Sequence, residues 1–102
     1  MLIHKKKIKI NEKSFIISMI PAYYALKLIP KFQEIIENPP EDYDQVKDFL
    51  FGLLSYCRLV NNSKLIRITH ELIEDELSPY DLQQLQEKLI LYNQHFLALG
   101  RS

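Results

Sequence analysis

The stretch Ser78 to Gly100, SPYDLQQLQEKLILYNQHFLALG, decides how the rest of the chain must fold. Its apolar residues Leu82, Leu85, Leu89, Tyr92, Phe96 and Leu99 are spaced alternately by three and four positions. That spacing lines all six along one stripe of an α-helix. Ser78 suits an N-cap, Pro79 is tolerated in a first turn, and Asp81 sets a negative charge at the positive end of the helix dipole. Gly100 is placed to end the helix. Ile90, Leu91 and Leu97 lie beside the main stripe and widen it, so the helix needs either a thicker core or a partner surface to cover it.

The chain has 102 residues, 47% of them hydrophobic and only 2 glycine, which suits one small domain without disorder. Formal net charge is zero, which argues against a whole-molecule field for nucleic acid or an anionic membrane. The charge is nevertheless segregated. Residues 1–13 hold five lysines against Glu12, residues 32–48 hold six acids against Lys47, and residues 71–88 hold six acids against Lys88. Residues 49–70 hold Arg58, Lys64 and Arg67 and no acid. Such blocks suit self-association, a charged protein partner, or ordinary solvated surface. A single cysteine, Cys57, allows no internal disulfide and fits a reducing compartment. The N-terminus lacks an apolar core of signal-peptide length and the apolar runs are too short for a membrane span, so a cytoplasmic location is expected.

Upstream, residues 2–10 alternate imperfectly, Asn11-Glu12-Lys13 forms a polar break, and Ser14 to Ile20 is dense in β-branched and aromatic residues. These predict two strands joined as a hairpin, with Asn11 able to take a left-handed turn conformation. The second strand is apolar on both faces, so helices or a second copy must cover it. After Pro21, Tyr24, Leu28, Phe32, Ile35 and Ile36 predict a helix, with Pro30 expected to kink or break it. Asn38 or Asp42 would cap a further helix whose stripe runs Tyr43, Val46, Phe49, Leu50, Leu53, Leu54 and Cys57, with Arg58 near its end. Asn61-Asn62-Ser63 reads as a loop. Residues 64–77 admit a strand over 65–69; the preferred reading is a short helix over His70 to Leu77, capped by Thr69 and stapled by Ile68 and Ile73. The expected fold is therefore mainly α: one domain over 1–102, an N-terminal β-hairpin (1–20) packed on about four helices (21–99).

No pattern in the residues points to catalysis. His4, His70 and His95 are scattered, and His70 with Glu74 lacks a third metal ligand at compatible spacing. Cys57 falls on an apolar helical stripe, which suits a small buried side chain better than a nucleophile. Gly52 and Gly100 are too isolated to cradle a phosphate, and adjacent carboxylates such as Glu74 and Asp75 make no acid–base pair. No cofactor or metal is expected. Lys5, Lys6, Lys7 and Lys9 form a basic patch, which reads either as nucleic-acid contact or as an edge strand protected from aggregation by its lysines. Helix-borne leucines and aromatics, taken here as Phe49, Leu53, Tyr80, Ile90, Leu91 and Leu97, are the candidates for binding a protein partner.

Two stretches carry a family resemblance. Ala25-Leu26-Lys27-Leu28-Ile29-Pro30-Lys31-Phe32 resembles the leucine- and proline-bearing first helix of the small tail assembly chaperones of tailed bacteriophages and prophages. Leu77-Ser78-Pro79-Tyr80-Asp81-Leu82, leading to Asn93 and Phe96, is similar to their final helix. The layout of a short hairpin followed by helices agrees. The resemblance implies a non-enzymatic protein that shields the tape-measure protein during tail assembly in the host cytoplasm; the charge blocks and the apolar surface separately suit a homo-oligomer. The uncommonly basic first strand departs from that pattern and keeps open a small regulator that contacts nucleic acid.

Overall fold

Asn62 and Ser63 both adopt left-handed backbone angles, φ 50° and 68°. Two successive positive φ values between paired residues make the tight turn that matches the twist of antiparallel strands. The turn joins β3 (Cys57–Asn61) to β4 (Lys64–Arg67), with Asn61 opposite Lys64 and Leu59 opposite Ile66. An earlier hairpin joins β1 (Lys5–Ile10) to β2 (Lys13–Ser18), and Asn11 in its turn has φ 55°. The structure, a computed structural model, describes residues 5–100, with side chains as far as Phe96. His4 and the rest of residues 1–4 lie outside it, as do the side chains of Leu97 and Leu99.

The two hairpins form one four-stranded antiparallel sheet in the order β1-β2-β3-β4. With four helices it makes a small single domain. α1 spans Ala22–Glu37, α2 Lys47–Leu53, α3 His70–Glu76 and α4 Pro79–Gly100, and short 3-10 turns precede and follow α2.

The expected helical part, 21–99, therefore contains a β-hairpin. The stripe from Tyr43 to Cys57 breaks after Leu53: a 3-10 turn over Leu54–Tyr56 closes the helix, and Cys57 opens β3. Leu50, Leu53, Leu54 and Cys57 are all buried, so helical spacing and strand entry are both served by the same residues. β3 wins because it pairs with β2, Phe15 opposite Leu59 and Ile17 opposite Cys57. This pairing makes β2 an interior strand with Phe15 and Ile17 buried on one face, while Ser14, Ile16 and Ser18 on the other face are half-buried. The segment 64–77 holds both elements weighed for it, a strand over 64–67 and a helix over 70–76. The Thr69 hydroxyl accepts the Leu72 N–H at 3.2 Å, capping α3.

Pro30 does not break α1, which runs as one element from Ala22 to Glu37. Pro30 and Leu26 both lie on the exposed side of α1, where loss of a helical donor is least costly. Neither Asn38 nor Asp42 caps α2, which starts after Val46 without a side-chain cap; Asp42 instead caps the preceding 3-10 turn over Tyr43–Gln45, its carboxylate accepting the Asp44 N–H at 3.0 Å.

One face of the sheet is buried. Phe15, Ile17, Cys57 and Leu59 join Ala25, Ile29 and Phe32 of α1 and Leu85, Leu89 and Ile90 of α4 in a single apolar cluster. The molecule measures 40 × 39 × 20 Å. A thickness of 20 Å holds one sheet and one layer of helices, so among the described residues nothing covers the other face of the sheet.

Candidate functional site

Three buried polar side chains on α4 hold the neighbouring elements in place. Asp81, at 2% exposure, accepts from the Asn11 amide at 2.8 Å, from the Ser78 N–H at 3.1 Å and from Lys13 Nζ at 3.4 Å. The Ser78 hydroxyl in return accepts the Asp81 N–H at 3.1 Å, a reciprocal cap that ties the start of α4 to the turn between β1 and β2. Burial by itself raises the Asp81 pKa. The Ser78 N–H, the Asn11 amide and Lys13 outweigh it and hold the carboxyl below its ordinary 3.8.

The Gln86 amide donates to the Leu50 carbonyl of α2 at 3.1 Å. Asn93, at 1% exposure, accepts the Ile20 N–H at 2.6 Å and donates to the carbonyls of Ser18 (3.2 Å) and Leu89 (2.9 Å). Asn93 thus satisfies the backbone where β2 leaves the sheet ahead of Pro21. Both Asp81 and Asn93 stand in the stretches quoted above. Their structural duties depend on residues some seventy positions away in the chain, out of reach of local pattern.

With α4 fixed in this way, an apolar trough opens between it and the C-terminal half of α1. A depression of about 320 Å³ bounded by Phe32, Ile36, Ile90 and Leu91 shares Phe32 and Ile36 with one of about 690 Å³ that continues past Pro39 and Tyr43 to Leu82. Ile36 continues the α1 stripe of Ala25, Ile29 and Phe32 but is 50% exposed, because the facing surface runs out there. Glu37 and Glu87 lie on the rim, with Gln33 and Gln94. Leu91, 67% exposed, forms the ridge between this trough and a second hollow lined by Lys6, Ile8, Tyr92 and His95.

The six apolar candidates separate accordingly. Leu91 and Tyr80 are exposed. Leu53 and Ile90 are buried at 1% and 3%, which removes them from the partner-binding surface, although Ile90 forms part of the trough floor. Both belong to the cluster that packs the helices against the sheet, and a widened stripe is in this instance partly a thicker core. Phe49 is half-buried, with Lys31 Nζ 4.7 Å above its ring. The side chain of Leu97 lies outside the described residues. Ile36 and Tyr43, both exposed, are not among the six; the continuation of the α1 stripe is the sequence signal for Ile36.

The four lysines of β1 also separate. Lys6 shares a face with Ile8 and Ile10 and borders the hollow next to α4, whereas Lys5, Lys7 and Lys9 alternate onto the open face.

His70 stacks on Phe51 with ring centroids 3.8 Å apart and planes 10° from parallel, which gives it a packing role at the start of α3. Among the described residues no three His, Cys, Asp or Glu side chains gather as metal ligands would, and no helix is long and apolar enough to cross a membrane. Cys57 is fully buried, and burial pushes its thiol up to about 12, with Arg58 opposing weakly. Below that pH it is a thiol and not a nucleophilic thiolate. Native protein mixed with a thiol reagent at neutral pH is expected to react only as fast as it opens, while protein in denaturant reacts at once; rapid labelling of the native state would contradict this.

Comparison with protein-family models, with curated proteins and with solved structures finds no match to this chain.

Proposed function

We propose that this protein is a non-enzymatic assembly chaperone of the tailed-phage type, which binds and shields the apolar helical tape-measure protein while the tail is built in the host cytoplasm. The observation that carries the binding part of this reading is the trough between α1 and α4, floored by Phe32 and Ile90 and left open at Ile36 and Leu91. An α-helix offering apolar residues at every third and fourth position fits such a trough, and basic residues flanking them would meet Glu37 and Glu87. The resemblance of residues 25–32 and 77–82 to the phage chaperones supplies the identity of that partner. Masking of this kind requires only that the apolar stripe be covered until the partner assembles, so moderate affinity and ready release suffice.

Co-expression with a tape-measure protein of a tailed phage tests the reading. The partner is expected to be soluble with the chaperone and to aggregate without it. Leu91→Lys should leave the stability of the chaperone within about 0.5 kcal/mol, since the side chain is on the surface. The same change should weaken partner binding by roughly 30-fold, because it sets a charge against the apolar stripe. A partner equally soluble alone, or a complex indifferent to Leu91→Lys, would refute the proposal.

A further inference from the structure

The open face of the sheet gathers cations from both hairpins. Lys7 of β1 pairs with Ile16 of β2, Ile16 with Arg58 of β3, and Arg58 with Arg67 of β4. One row across all four strands therefore reads Lys7-Ile16-Arg58-Arg67. The next row reads Lys9-Ser14-Val60-Leu65, and Lys5 lies beside Ser18 on the opposite side. Strand alternation puts all of these on the face turned away from Phe15, Ile17, Cys57 and Leu59. Five cations and two hydroxyls stand there with no carboxylate among the paired residues; the adjoining acid in the chain is Glu12, in the turn.

We infer that this face binds the phosphate backbone of a nucleic acid without regard to base sequence. A second feature points the same way. Arg58 and Arg67 stand directly opposite each other on neighbouring strands, about 5 Å apart at the backbone, a like-charge pairing that destabilises a sheet unless an anion lies over it. The Arg58 guanidinium is fixed by Nη1, which donates to the carbonyls of Ser55 and Cys57 at 2.8 Å each, so an anion would be met by its remaining N–H groups.

The chemistry of the face selects among polyanions. A protein partner would need apolar anchors, but Ile16 and Val60 are recessed between the charged rows and only Leu65 stands out. No aromatic ring on the paired residues of the face offers a platform for bases, so contact is to phosphate and not to base planes. Because the chain as a whole is neutral, attraction arises locally and must fade steeply with salt.

Anisotropy of a labelled, mixed-sequence DNA duplex titrated with the full chain, from about 50 to 200 mM salt, tests this. Binding is expected at the low end, falling steeply across the range. The double variant Lys7→Gln, Arg67→Gln should lower the slope of log affinity against log salt by about two and weaken low-salt binding on the order of tenfold. Lys6→Gln, on the side facing α4, should change neither, and Leu91→Lys should leave DNA binding intact while disrupting the trough. Circular dichroism of each variant reports its fold. Absence of binding at low salt overturns the inference. So does equal weakening by Lys6→Gln, or displacement of the duplex by poly-glutamate as effectively as by unlabelled DNA, which would assign the face to an acidic protein.

Discussion

Asn93→Leu is expected to destabilise the protein by about 3–4 kcal/mol, although the replacement is close in volume and apolar in an apolar surrounding. The wild-type side chain is the partner of the Ile20 N–H and the Ser18 carbonyl, both where β2 turns away from the sheet. Leucine offers neither acceptor nor donor, and at 1% exposure no water replaces it. Each orphaned buried group costs about 1–3 kcal/mol, and the gain from burying a leucine offsets only part of that. Urea denaturation should show the midpoint falling with the slope unchanged, since the surface exposed on unfolding is the same. The exposed Gln83→Leu is the matched control and should shift stability by less than about 0.5 kcal/mol. Asn93→Asp refines the test. Its carboxylate keeps the acceptor for Ile20 but faces the carbonyls of Ser18 and Leu89, which raises its native pKa. The protonated acid can donate as the amide did, so this variant should gain stability relative to wild type as pH falls. Wild-type stability in Asn93→Leu would show that the backbone of residues 18–20 finds other partners.

The second large effect is at Asp81. Asp81→Asn is expected to lower stability by about 2–3 kcal/mol at neutral pH, through loss of charge-assisted bonds to Ser78, Asn11 and Lys13 and of the negative charge at the start of α4. The sign of the pH dependence follows from the direction of the pKa shift. The carboxyl is held below its ordinary 3.8 in the folded state, so its contribution is fully present above the unfolded value and is lost as pH falls through the folded one. The gap between wild type and Asp81→Asn should therefore be constant from neutral pH to about 5 and close progressively below about 4. A gap that widened on acidification would reverse the assigned direction. Because Asn11 and Lys13 belong to the first hairpin, amide exchange in β1 should quicken along with that at the α4 N-terminus.

Local chemistry made some elements legible. The stripe of α4, its Ser78 cap with Asp81 in the first turn, the first hairpin, and the Thr69 cap of α3 are all settled by residues within a few positions of one another. The second hairpin was legible in part. Leu59-Val60 and Leu65-Ile66 flank Asn62-Ser63, a turn signal between apolar pairs, but Leu50, Leu53, Leu54 and Cys57 continue a helical period into the same region. Two patterns of comparable strength overlapped at Cys57, and pairing with β2 broke the tie. Likewise Pro30 reads as a helix breaker in any local scheme, yet α1 runs through it, with Pro30 and Leu26 both on its exposed side.

The candidate surfaces were less legible than the fold. Leu91 and Ile90 are neighbours in the chain, both apolar and both beside the main stripe, yet one is 67% exposed and the other 3%. Which is buried depends on where α1 lies. Lys6 and Lys7 are likewise consecutive, and strand alternation sends one toward α4 and the other toward Arg58 and Arg67.

By itself the amino-acid order determined that residues 79–100 form a long amphipathic helix and that residues 5–10 form a basic strand. Periodicity and capping act over a single turn or a single hairpin, and one chain segment contains all the information they need. Tertiary structure decided that a second hairpin completes the sheet, that Asn93 and Asp81 fasten the first hairpin to the last helix, and that five cations from two distant hairpins share one open face. Those outcomes rest on partners far apart in sequence, and no property of either partner alone specifies the pairing.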